Sequence, residues 1–315
     1  MATSGSYNLT TTRDAIIASA LRKIGILAEG QSATATQISN AAEALNFLTK
    51  AWASAGMPLW ALKYLYVFPI DGVNTVTIYN NAAGGHVSAE YIGTTLSAGE
   101  SSSDTSMAVT DGSAIANSDY IGVEQDDGTM LWTTVASGGG TNTIVLTDAL
   151  TDDAASGNRV YAYTAKAEKP LKVVDAWMIN AADSSRIPIN IVSESEINSL
   201  GNLTSEASYV NQISYVPLIS TGRLTFYPQF SNGDYYMLIR AQYPHEDFDS
   251  STDEPAFPQE WYRALTWNLA MEIAPEYGVP SDQLAIIAQM AVMTRKEADD
   301  FGAEGASLQF EPDVM

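Results

Sequence analysis

Cysteine is absent from the 315 residues, which removes disulfides, thiol nucleophiles and thiolate metal sites together. Histidine is nearly as scarce: His86 lies in the glycine-rich AAGGHVSAE and His245 in QYPHEDFD. Neither has a second histidine at ligand spacing, so both read as turn or surface residues rather than general bases or metal ligands. No serine stands in a G-x-S-x-G elbow, and GGGTN runs into strand-like TIVLT without a P-loop lysine. Basic residues are the third scarcity. Against 37 Asp and Glu stand 15 Lys and Arg, a formal balance of −22, and such a surface repels phosphate backbones rather than binding them. No Lys or Arg occurs between Lys63 and Arg159, where acids from Asp71 to Asp153 accumulate. Long apolar runs are missing too, and MATSGSYNLTTTRD carries no apolar signal core. Neither secretion nor membrane insertion is therefore expected, and the chain is expected to be made in the cytosol.

What is present is ample core material, 46% hydrophobic residues. Two helices are expected first: Ile17, Leu21 and Ile24 follow a Thr11/Asp14 capping box, and Ile38, Ala42, Leu45, Leu48 and Trp52 share one face of the second. From Tyr64 the period turns from helical to alternating in YLYVFPI and VNTVTIY. Turn signals then recur through NNAAGG, QDDGT, SGGGTN and ASGNR, and DYIGVEQDDGTMLWTTV forms a hairpin about Asp127-Gly128. Residues 81–163 accordingly read as a small β domain. It interrupts a β layer in which FPIDGVNTVTIY and LKVVDAWMI could pair, and TGRLTFYPQF and DYYMLIRAQYP are expected to form a second hairpin. SESEINSL reads as a short helix capped by Ser193.

Pro258 and Pro280 introduce the two closing helices. In the last of them Leu284, Ile287 and Ala291 share one face and Ile286, Met290 and Met293 the next, so it needs partners on two sides. The expected fold is α+β: N- and C-terminal helices form one bundle, with a β layer carrying an inserted β domain. Residues 1–80 with 164–301 form the core, 81–163 the insert, and 302–315 an extended tail.

Carboxylates are too many for any one pair to mark a glycosidase. Asp126 and Asp127 read as turn formers. Asp247, Asp249 and Asp253 in EDFDSSTDEP look superficially like a calcium loop but lack its sixth-position glycine and closing glutamate. No catalytic residue, metal or cofactor is expected.

A pattern in the last third carries more. After a loop ending at Phe248 and Asp249 come Phe257-Pro258, Glu260-Trp261, Asn268-Leu269-Ala270 and Ala274-Pro275-Glu276-Tyr277. This order resembles the C-terminal helical signature of the head-to-tail adaptors of short-tailed bacteriophages, also called tail accessory factors or head completion proteins. IIASALRKIGILAEGQSATATQISNAAEALNFLTKAWASAGMPLW, with Leu45, Asn46 and Trp52, resembles the opening helices of that family. PLKVVDAWMI, YPQF and the closing ASLQFEPD fit as well. The resemblance spans most of residues 13–80 and 164–312; the acidic insert instead looks like a β module of several phage structural proteins.

The resemblance implies a non-enzymatic virion protein of the tail or neck, assembled in the host cytoplasm. It would form a dodecameric ring between the portal protein and a tail nozzle or tail tube protein, and DNA would pass through without sequence-specific binding. Trp52, Trp261, Leu265, Trp267 and Leu269 would serve subunit or bundle packing. Ser307, Leu308, Gln309, Phe310, Glu311 and Pro312 would grip the partner, Leu308 and Phe310 sharing one side of an extended strand. Two other classes remain open on the residues alone: a tail-associated cell-wall carbohydrate-degrading enzyme, and a glycan- or receptor-binding β protein.

Overall fold

The computed structural model describes residues 6, 8–55, 59–79, 85–230 and 233–301. The chain divides into two compact units, Met1–Leu62 with Pro244–Met315, and Lys63–Tyr243.

Among the described residues there are five α-helices: α1 (Arg13–Lys23), α2 (Ala35–Ala55), α3 (Glu194–Asn198), α4 (Tyr262–Ile273) and α5 (Ser281–Phe301). Fifteen strands outnumber them, arranged in three sheets. The fold is therefore mostly β, and the expected α+β class built on a terminal helix bundle is corrected. Two physical reasons underlie the difference. The alternating segment builds three layers with their own cores instead of one layer and an appendage. The helices, for their part, do not align as a bundle: α1, α2 and α5 each pack mainly on the short α4, and α5 reaches α1 and α2 through contacts such as Gln283 with Lys23 and Arg295 with Trp52.

Local signals set the helix ends. The cap of α1 is Thr12, one residue from the expected Thr11, and its hydroxyl accepts from the Ala15 amide at 3.3 Å. Ser193 caps α3 as expected, accepting from the Glu196 amide at 3.2 Å. Around α4 the unit closes one apolar core in which Ile17 and Leu21 of α1 and Leu45 of α2 meet Trp261, Leu265 and Leu269.

In the second unit a five-stranded sheet has the order β11 (Arg186–Pro188), β10 (Lys172–Asn180), β15 (Tyr235–Gln242), β1 (Leu62–Val67), β3 (Val87–Ser88). A four-stranded sheet runs β12 (Asn190–Ile191), β13 (Gln212–Pro217), β14 (Gly222–Tyr227), β2 (Thr75–Ile78). Two expected pairings are thereby corrected. β14 pairs with β13 and β2, not with β15, and β2 and β10 lie in different sheets. The burial patterns explain the first correction. β14 alternates strictly between covered and half-exposed positions, as a two-layer strand does, whereas β15 is covered on both faces.

β15 is the clearest record of the layering. Met237, Ile239 and Ala241 belong to the core shared with the four-stranded sheet, while Tyr236 and Leu238 enter an aromatic cluster on the opposite face. That cluster is completed by the third sheet, ordered β4 (Ile92–Thr95), β9 (Arg159–Tyr163), β6 (Tyr120–Glu124), β7 (Met130–Ser137), β8 (Thr143–Leu146), β5 (Ser106–Ala108). A bridge between Leu96 and Val109 joins its two edges, and the sheet curls into a half-barrel around Met107, Ile121, Val123, Ile144 and Val160. Its β6–β7 hairpin turns at Asp127-Gly128 as expected, with Gly128 at φ +86°.

Candidate functional site

His245 is a core residue, which corrects the expectation from sequence, while His86 is half-buried. His245 is buried and stacked on Trp60, ring centroids 4.9 Å apart. Burial first, then the charges of Lys50 and Arg295, push its pKa down to about 4. His86 stacks on Trp132 at 3.8 Å, and its Nδ1 lies 2.7 Å from the Tyr163 hydroxyl. Burial, then Lys166, lowers it to about 3. Burial thus favours the neutral form of both rings, and stacking on Trp60 and Trp132 gives each a packing role.

The loop aspartates singled out from the sequence are likewise occupied. Asp253 Oδ2 accepts from the amides of Asp249 and Ser250 at 2.8 and 2.6 Å, and Asp247 pairs with Lys50 at 2.8 Å. The calcium-like loop is thus a capped turn. Asp126 Oδ1 accepts from the Ala155 amide and Asn158 Nδ2, and Asp127 Oδ1 from the amide and hydroxyl of Thr129. Among the described residues no group of three or more His, Asp or Glu could hold a metal ion. No described helix is long and apolar enough to cross a membrane.

The residues singled out for packing lie in the helical unit. Trp52, Trp261, Leu265 and Leu269 are buried inside its core, and Trp267 is half-buried at the rim with Lys23 Nζ 5.0 Å from its ring. Around Trp52 and Trp261 the structure gathers Trp60, Phe257 and His245 into one aromatic cluster. The Arg295 guanidinium sits over it, 4.2 Å from the Trp52 ring and 4.9 Å from Trp261, and Arg295 Nε bonds both Asp299 oxygens at 2.9 Å. Sequence reasoning missed Trp60, His245 and Arg295, because the cluster draws on both ends of the chain and no spacing announces it.

The two expected faces of α5 have different fates. Ile287, Ala291, Thr294 and Ala298 are buried on one side. On the second, Ile286 and Met293 remain 61% and 42% exposed and Met290 is half-buried, while Val292, outside both expected faces, is 71% exposed. On α2, Phe47 is also exposed. A helix that has already buried a full stripe and still presents branched and thioether side chains to solvent has apolar surface to spare. Ser307, Leu308, Gln309, Phe310, Glu311 and Pro312 lie outside the described residues, as does the whole segment 302–315.

No protein-family model matches the sequence, and no curated protein matches it.

Proposed function

We propose that the chain is a structural subunit of a bacteriophage head-to-tail connector, assembling as a ring between the portal protein and a tail nozzle or tail tube protein. The observation that carries the reading is the outer face of α5, where Ile286, Val292 and Met293 stand exposed on a unit whose own core is closed. Its occupant is a second copy of this chain. Copies with a formal charge of −22 repel one another, so their contact must come from apolar patches, and Phe47 on a separate helix supplies a second, different one. Two unlike patches on one subunit are what a head-to-tail ring contact requires.

Other features fit the same role. Both histidines stack on tryptophans, and Asp126, Asp127 and Asp253 accept hydrogen bonds within their own turns, which is compatible with an assembly protein. A strongly acidic ring gives few phosphate contacts, which suits a channel for sliding DNA. Ser307 to Pro312 would grip the portal, and the mature site of action would be the virion tail or neck.

The test is the assembly state of the purified chain, by light scattering and negative-stain imaging, alone and with portal rings. Closed rings, lost in the double variant Val292→Glu with Met293→Glu while helical circular dichroism is kept, are the expected result. A monomer at high concentration that also ignores portal rings would overturn the reading.

A further inference from the structure

The half-barrel sheet carries a feature that a ring subunit does not need. A cavity of about 400 Å³ opens beside β4 and β9, within the roughly 300–1,000 Å³ of small-molecule sites. Register builds it: Gly93 lies opposite Tyr161, and Thr95 opposite Arg159. The Tyr91 ring folds down onto Gly93, where an added Cβ would come within 3.2 Å of its edge, so the glycine lets an aromatic wall stand against bare backbone. Behind, the ring is held by Tyr66 at 4.6 Å and Tyr236 at 5.3 Å.

The polar side of the cavity is equally well defined. Thr94 Oγ1 accepts from the Asp111 amide at 3.1 Å, and the hydroxyls of Thr95 and Thr110 lie 3.0 Å apart. Asp111 Oδ1 is taken up by Ser113, at 3.0 Å from its amide and 2.7 Å from its hydroxyl, while Oδ2 has no hydrogen bond among the described residues. Arg159 Nε is 3.9 Å from Asp234, too far for a hydrogen bond, and its terminal nitrogens have no partner among the described residues. This is the first basic side chain after Lys63, and it borders an open cavity.

We infer that this cavity binds a neutral pyranose. A guanidinium fork and a free carboxylate oxygen can together bind vicinal hydroxyls as donor and acceptor, with threonine hydroxyls serving in both roles. Tyr91 in the cavity wall supplies an aromatic surface for the C–H side of the sugar. Charge selects the neutral class: Asp111 lines the cavity with Arg159, Asp234 Oδ1 lies 3.9 Å from Arg159 Nε, and Glu124 Oε2 accepts from the Arg159 amide at 3.0 Å. Three carboxylates against one cation disfavour an acidic sugar.

The full chain is tested by saturation-transfer NMR against the methyl glycosides of glucose, galactose, mannose and N-acetylglucosamine, with methyl glucuronoside as the anionic arm. Transfer to at least one neutral glycoside is expected, weakened about tenfold in Tyr91→Ala and also reduced in Asp111→Asn, which keeps the Ser113 cap. No transfer to any neutral glycoside, transfer to the glucuronoside alone, or transfer unchanged in Asp111→Asn would overturn the inference. Thermal melts establish that each variant is folded, and ring assembly, read separately by light scattering, is unaffected by either result.

Discussion

The guanidinium of Arg295 lies 4.2 Å from the centroid of the Trp52 ring. The pair brings the last described helix and the second helix to one point, and Trp261, at 4.9 Å from the same guanidinium, completes the clamp. A cation over two largely desolvated indoles contributes more than a surface ion pair does. Arg295→Ala is expected to lower stability by roughly 2 kcal/mol, with Arg295→Lys intermediate. A urea titration measures this as a lower midpoint at unchanged slope; equal midpoints would show that the stacking contributes nothing.

His245 gives the protein an acid-sensitive component. Its pKa is about 4 when folded and 6.5 when exposed, so below about pH 6.5 the unfolded chain takes up a proton that the folded chain refuses. The stabilising contribution is full above that pH and declines as pH falls towards 4. At about 1.4 kcal/mol per unit, the loss at pH 4 is on the order of 2–3 kcal/mol. His245→Phe retains an aromatic ring against Trp60 but cannot titrate. The stability difference between the two proteins should therefore shift in favour of His245→Phe as pH falls from 7 to 4, and parallel curves would contradict the assignment.

Gly122 sits beneath Trp132 in the half-barrel, where an added Cβ would lie 2.7 Å from the indole ring. The indole cannot easily retreat, because His86 stacks on it at 3.8 Å and its Nε1 donates to the Pro69 carbonyl at 2.9 Å. Gly122→Ala is expected to cost about 1–3 kcal/mol through overpacking and to shift tryptophan emission. An unchanged melting temperature would mean that the ring moves freely.

Excision of residues 92–163 tests how far the half-barrel can be separated from the sheets beside it. Its removal uncovers Phe68, Ile179, Tyr236 and Leu238, which form one aromatic and aliphatic patch with Tyr161 and Tyr163. The remnant is expected to bind a hydrophobic dye and self-associate, while the helical unit keeps its circular dichroism. A monomeric remnant without dye binding would show that the cluster is dispensable.

Some features needed nothing beyond the sequence. The change of period at Tyr64, the Asp127-Gly128 turn, the Ser193 cap and the two apolar faces of α5 are all written within one or two turns of chain. Local sterics and side-chain periodicity decide them, and such signals survive in one dimension. Tertiary structure alone decided the rest. That β14 joins β13 and β2 while β15 lies between β10 and β1 depends on which faces find covering layers. One strand's alternation cannot state that, since a strand covered on both sides and one covered on a single side differ only in their surroundings. The same holds for the neutral His86 and His245, for Arg295 between two tryptophans, and for the cavity joining Tyr91 to Arg159. Each depends on groups far apart in the chain, and only folding sets the distances that give them their chemistry.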